Sequence, residues 1–150
     1  MSLELFRILE DDIIITADSM FATNTIGSLI LSVVTGSAVS LPNNQNLSSF
    51  TVNGANNTFT VPATGRYLIT YHVNTTLSLL VGTRLMLNGA TPIPGTIISA
   101  SLSKNQFSNT SIISLNQGNT ITLQVFGLLG AVTLQGGGST GASLAIVRIT

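Results

Sequence analysis

The chain has no cysteine and no tryptophan, and only 7 % of its 150 residues are charged. It also has no run near the ~18 consecutive apolar residues that a membrane span requires. Its carboxylates are confined to the first eighteen positions: Glu4, Glu10, Asp11, Asp12 and Asp18. From Ser19 to Thr150 the only ionisable side chains of the Arg, Lys and His types are Arg66, Arg84, Lys104, Arg148 and the lone His72. Each absence excludes something. Without cysteine there are no disulfides and no thiolate chemistry. Without carboxylates the body loses the groups used for acid–base catalysis, glycoside hydrolysis and hard-cation binding. No enzyme, cofactor or metal site is expected. Four scattered basic residues with no interleaved aromatics make no phosphate-tracking stripe, so nucleic acid is not an expected partner either, and neither is a membrane.

His72 could serve a triad only with an acid from the N-terminal segment, and no nucleophile elbow accompanies it. It reads instead as a strand-surface or interface histidine, or as a pH-sensitive group on an assembly axis. Gly136-Gly137-Gly138 is not followed by a helix and reads as a loop, not a phosphate cradle. Four Asn-x-Ser/Thr matches, at Asn46, Asn56, Asn74 and Asn109, are what a chain this rich in those residues produces by chance.

What is present is β-forming sequence. Hydrophobic content is 44 %, and the polar remainder is mostly Ser, Thr, Asn, Gln and Gly. A weakly charged surface of that kind associates readily. Runs rich in β-branched residues, punctuated by Gly, Asn and Pro, predict strands over 28–35, 50–53, 57–61, 65–77, 82–88, 96–102, 108–115, 119–128, 131–135 and 142–149. Asn88-Gly89 is the strongest hairpin signal, since both central positions of a type I′ turn need positive φ. About ten strands and no convincing helix indicate an all-β sandwich or jelly roll.

Alternation assigns faces. Tyr67, Ile69, Tyr71 and Val73 point one way, and Arg66, Leu68, Thr70, His72 and Asn74 the other. Ile121, Leu123 and Val125 share a face. The last strand, with Leu144 and Ile146 opposed to Ala145, Val147 and Ile149, is apolar on both sides and calls for a cover on each. Tyr67, Ile69, Tyr71, Leu123, Val125, Leu144 and Ile146 are therefore candidates for the core or a subunit interface. Arg66, Arg84 and Arg148 lie in strands without a carboxylate in the body, so they are candidate inter-subunit partners for the acids of residues 1–18.

Residues 1–18 differ in kind from residues 19–150. Five carboxylates against Arg7 give −4, while Arg66, Arg84, Lys104 and Arg148 give the body +4. Leu5, Ile8 and Leu9 form an apolar stripe, Asp11 and Asp12 follow, and Ile13, Ile14 and Ile15 make a β segment that is hazardous unless paired. The segment is expected to be a connector to another subunit. It lacks a basic n-region and a small-residue cleavage site, so it is not expected to be a signal peptide.

Phe59-Thr-Val-Pro62-Ala-Thr-Gly65-Arg-Tyr67 resembles the Phe…Pro…Gly-x-Tyr signature of C1q/TNF-like jelly rolls. Thr25-Ile26-Gly27-Ser28, Leu87-Asn88-Gly89, Ile93-Pro94-Gly95-Thr96 and the closing Ala142–Ile149 are similar, more specifically, to the C-terminal domain of Bacillus exosporium collagen-like glycoproteins of the BclA type. The resemblance spans about residues 20–150. It implies a ten-strand jelly roll, a homotrimer, a place on the spore surface reached by mother-cell lysis, and no catalytic residues. Family glycoproteins carry a Gly-x-y collagen stalk ahead of this domain, where this sequence has its acidic–apolar segment. A connector docking into the next trimer would make a fibre or layer, with an anchor or tip protein as a further partner. The other reading is a trimeric binding module for a receptor or glycan, with 40–49 and 103–109 as exposed loops.

Overall fold

The computed structural model describes residues 18–32, 34–127 and 130–150. The connector residues Leu5, Ile8, Leu9, Asp11, Asp12, Ile13, Ile14 and Ile15 lie outside them. Among the described residues the ordered elements are all strands. In chain order they are β1 (Ser19–Asn24), β2 (Leu29–Ser32), β3 (Ser37–Ala38), β4 (Asn43–Ser48), β5 (Thr51–Val52), β6 (Phe59–Thr60) and β7 (Gly65–Asn74). There follow β8 (Val81–Leu87), β9 (Thr91–Pro92), β10 (Ile98–Ser101), β11 (Gln106–Leu115), β12 (Thr120–Phe126), β13 (Gly130–Thr133) and β14 (Ala142–Arg148).

Two antiparallel sheets form a jelly-roll sandwich. The first has the order β11-β7-β14-β1-β4, and the second β10-β8-β12-β6-β5, with β3 paired to β12 and β9 to β8. A separate two-stranded ribbon pairs β13 with β2 and contributes Ile30 and Val132 to the core. Chain direction defines the ends. β1 and β14 begin and finish together, with Ser19 opposite Val147, and the Arg148 amide donates to the Asp18 carbonyl. At the other end Gln106 lies opposite Asn74, Asn24 opposite Ala142, and Ser101 opposite Val81. The latter end is called the apex below, and the former the base.

The expected period of two fills the core. Tyr67, Ile69, Tyr71, Val73, Leu144 and Ile146 from the first sheet meet Leu85, Ile121, Leu123 and Val125 from the second, none more than 1 % exposed. All seven of the core-or-interface candidates belong to this single cluster. They pack the protomer's own interior, which leaves the alternate residues of the same strands on its outer faces. Buried polar groups in the core find partners within it. The Tyr71 hydroxyl donates to the Thr96 carbonyl at 2.6 Å and lies 2.9 Å from Thr83 Oγ1. Thr96 Oγ1 in turn donates to the Ile93 carbonyl at 2.7 Å. The Asn24 amide donates to Ser28 Oγ and the Ser40 carbonyl.

Asn88 and Gly89 both take positive φ, 53° and 70°, and the Ala90 amide closes the turn onto the Leu87 carbonyl. Gly82 has a different reason to be glycine. A Cβ there would sit 2.5 Å from the Ile98 carbonyl oxygen and 2.6 Å from the Phe126 ring.

Four sequence expectations need correction. The expected strand 28–35 is shorter, β2 ending at Ser32, because the chain turns at Val34–Gly36 with Gly36 at φ 110°; the two-residue β3 begins only after that turn, at Ser37. The expected loop 40–49 contains β4, an edge strand whose Asn, Gln and Ser residues hide its extended backbone from a propensity reading. The loop expected at 103–109 ends at Asn105, where β11 begins. Finally, the strand expected over 65–77 stops at Asn74, after which Thr75 keeps only an isolated bridge to Leu134.

Candidate assembly surface

Because successive side chains on a strand alternate, burying Tyr67, Ile69 and Tyr71 forces Leu68, Thr70 and His72 onto the outer face of the first sheet. The register then assembles rows across that face. Leu68 lies opposite Ile112 on β11 and Val147 on β14. One step toward the apex, Thr70 lies opposite Thr110, with their hydroxyls 3.1 Å apart, and opposite Ala145, which is opposite Phe21. The next row is Ser108, His72, Ser143 and Thr23. The face is thus apolar toward the base and hydroxylic toward the apex. Phe21, Leu68, Ile112, Val147 and Ile149 are 37–55 % exposed in the protomer. The two-sided apolar character of the last strand is explained at its inner side by the core. At its outer side Val147 is left uncovered.

A second group of exposed apolar side chains occupies the apex. Ile26, Leu29, Leu31, Val34, Leu77, Leu80 and Leu102 are 43–70 % exposed, and all lie on the β2 segment or on loops that join strands at that end. Of the thirteen large exposed apolar side chains among the described residues, only Ile97 belongs to neither group. Lys104 sits in the same apical loop as Leu102.

The three arginines part company. Arg148 Nη1 meets Asp18 Oδ2 of its own chain at 3.0 Å, while Nε and Nη2 donate to the Thr150 and Thr64 carbonyls. The carboxylate it meets is thus that of Asp18 in its own chain. Arg84 stacks over the Phe126 ring at 4.2 Å and donates to Gln124 Oε1 and the Thr35 carbonyl. Arg66 projects from the outer face of β7 and is exposed. Its side chain makes no hydrogen bond or ion pair among the described residues. His72 is also exposed on that face.

Between β7, β11 and the loop before β14 lies an open cavity of about 330 Å³ with neither a charged nor an aromatic side chain in its lining. Among the described residues, no group of three or more His, Asp or Glu side chains could hold a metal, and no helix is long and apolar enough to cross a membrane.

Residues 20–150 match the family model of the BclA C-terminal domain. No curated protein matches the sequence. Among solved structures, murine APRIL at pH 8.0 superposes with a TM-score of 0.62 at 15 % identity, over 87 % of this chain and 98 % of that one. The crystal structure of murine APRIL at pH 5.0 gives 0.59 at 16 % identity over the same shares. Pika GITRL gives 0.51 at 15 % identity, over 73 % of this chain and 90 % of that one. At these identities the likeness concerns the fold, which is the TNF-like jelly roll that the Phe59–Tyr67 signature implied. The BclA C-terminal domain is associated with the exosporium.

Proposed function

The chain belongs to the BclA C-terminal domain family, and from that premise we propose that it is a non-enzymatic structural protein of the bacterial spore surface that builds itself into homotrimers and stacks them. One observation carries the reading: the exposed apolar residues fall almost entirely into two places, a sheet face and the apex. A flat apolar face on an otherwise weakly charged jelly roll suits a closed interface around a threefold axis. The apex suits a different contact. The N-terminal segment leaves the body at Asp18, at the base, while the apolar loops and Lys104 lie at the opposite end. Seventeen residues reach up to ~56 Å when extended. Their Leu5, Ile8, Leu9 and Ile13–Ile15 match an apolar acceptor, and their carboxylates match Lys104. Base-to-apex docking is heterologous and does not close, so it propagates into a fibre. The body 19–150 is then the brick and residues 1–18 the connector. Its partners are other copies of itself, together with an anchor or tip protein, outside the cell after mother-cell lysis.

Electron microscopy of the purified full chain beside a variant beginning at Asp18 tests this. Fibres from the first and discrete trimers from the second are expected. Identical particles from both would remove the connector, and monomers from both would remove the whole reading. A second reading, a trimeric binding module for a receptor or glycan that caps a filament, is favoured by the uncharged cavity near the apex.

A further inference from the structure

The cavity's walls are held by the fold, not by its occupant. The loop from Gly136 to Gly141 is tied down at both ends. Gly138 and Gly141 amides donate to the Thr25 and Asn24 carbonyls, and the Asn74 amide donates to the Gly141 carbonyl. At its start Gly136 approaches Gly27 so closely that a Cβ would lie 2.6 Å from the Gly27 backbone. Two lining amides are oriented by bonds to the walls. Asn74 Nδ2 donates to the Thr140 carbonyl at 2.9 Å, and Gln135 Nε2 to the Thr75 carbonyl at 3.1 Å. Each amide therefore keeps its oxygen as an uncommitted acceptor. Around them the Asn105 and Gln106 side-chain amides and the Ser139 and Thr140 hydroxyls make no hydrogen bond among the described residues.

A preformed recess that gathers free donors and free acceptors while excluding charge selects by chemistry. A phosphate or carboxylate finds no cation in the lining, and a metal ion finds no carboxylate. An apolar ligand would strand the amides without partners. A neutral polyhydroxylated molecule, whose hydroxyls both donate and accept, satisfies them. The volume lies at the low end of the ~300–1,000 Å³ range of ligand sites, which suits one sugar residue. We propose that this cavity is a binding site for neutral saccharides, with Asn74 and Gln135 as fixed acceptors and Asn105 and Gln106 as adaptable partners. No aromatic platform lines it, so single-site affinity is expected near the millimolar range. Repetition of the site in an assembly would supply avidity. The inference does not depend on the fibre reading, since every wall residue comes from one protomer.

Saturation-transfer difference NMR on the full chain, which tolerates large assemblies, provides the test. The probes are the methyl glycosides of glucose, galactose and N-acetylglucosamine, with sialic acid and glucose 6-phosphate as anionic counterparts. Saturation of at least one neutral glycoside is expected, weakened at least tenfold by Asn105→Ala/Gln106→Ala. Those two positions are exposed and outside the core, and a circular dichroism spectrum like that of the parent confirms that the double variant is folded. Three results overturn the proposal: no transfer to any neutral glycoside at tens of millimolar, equal or stronger transfer to the anionic probes, or unchanged binding by the folded double variant. The first of these is also what coverage of the recess by a neighbouring subunit would give.

Discussion

Replacing Leu68 by arginine isolates the contribution of the sheet face to assembly. Leu68 sits at the centre of the apolar row, between Ile112 and Val147, and is 37 % exposed in the protomer. Taking ~150–200 Å² for each side chain, exposures of 37–55 % leave ~350–450 Å² uncovered over the five apolar residues. At ~25 cal/mol per Å² that area stabilises association by about 10 kcal/mol per protomer. This is the same size as the ~4–15 kcal/mol that association costs in lost freedom, so the face decides the outcome and a single substitution can reverse it. Leu68→Arg removes ~2 kcal/mol of apolar burial. It also adds a guanidinium that cannot shed its charge, on a face with no carboxylate and with Arg66 two residues away. An unpaired buried charge costs ~3–5 kcal/mol, so the penalty is ~5 kcal/mol per copy and ~15 kcal/mol over three. The protomer itself loses little, ~1 kcal/mol, because the position is already partly in water. Sedimentation velocity should show the variant as a monomer with a parent-like β-sheet dichroism spectrum. Ile97→Arg, at 44 % exposure but outside both apolar groups, should leave the assembly unchanged. A Leu68→Arg chain that sediments like the parent, or an Ile97→Arg chain that dissociates as readily, would refute the reasoning.

Other consequences concern the protomer. Tyr71→Phe strips a buried hydroxyl from Thr83 and the Thr96 carbonyl and should cost ~1–3 kcal/mol in chemical denaturation. Gly82→Ala drives a methyl into the Ile98 carbonyl and the Phe126 ring; a loss of ~3 kcal/mol or more, or failure to fold, is expected, and a melting temperature within a few degrees of the parent would contradict it. Arg148→Met removes three bonds that hold Asp18, Thr64 and Thr150 together; ~1–3 kcal/mol should be lost, with hydrogen exchange accelerated first at the base. Burial raises the pKa of Tyr71 and, with the Asp18 charge, that of Tyr67. The unfolded chain therefore gives up these protons first, so stability is fully present below pH ~10 and falls as pH rises through the folded values. The melting temperature should drop as pH rises above 10, less steeply in Tyr71→Phe.

How much of this was legible beforehand depends on what each residue is asked to do. The faces of β7 and β12 could be read directly, because Tyr67, Ile69, Tyr71, Leu123 and Val125 alternate with polar or outward residues and period two is a local property. The turn at Asn88-Gly89 was equally local. β1 and β4 were not. Ser19–Asn24 and Asn43–Ser48 carry weak β propensity and become strands through pairing with each other and, for β1, with β14, a contact that spans most of the chain. Missing β1 hid Phe21, which completes the apolar face two strands away from Leu68. The arginines illustrate a second limit. Sequence alone showed that they lacked body carboxylates, but not that Phe126, Gln124 and backbone carbonyls would receive Arg84, or that Asp18 would fold back onto Arg148. The cavity was partly foreshadowed, since Asn105 and Gln106 fall in the 103–109 segment. Asn74, Gln135 and Thr140 reach it only through tertiary closure.

The scarcity of charge raises a physical problem that the strand edges resolve. Edge strands of soluble sheets are ordinarily guarded by lysines or inward charges, and β4 has none: its sequence is Asn43-Asn44-Gln45-Asn46-Leu47-Ser48. It is guarded by irregularity. The β1–β4 register shifts between Phe21 and Thr23, Asn44 and the adjoining Ser49 take positive φ of 50° and 68°, and Gln45 Nε2 turns back to the Leu41 carbonyl. An edge kinked in this way is a poor template for a flat incoming strand. On the second sheet, Pro94-Gly95 interrupts the flank of β8 between β9 and β10. With these two flanks interrupted and no charge pattern on the surface, the exposed apolar side chains remain gathered on the outer face around Leu68 and in the apical loops.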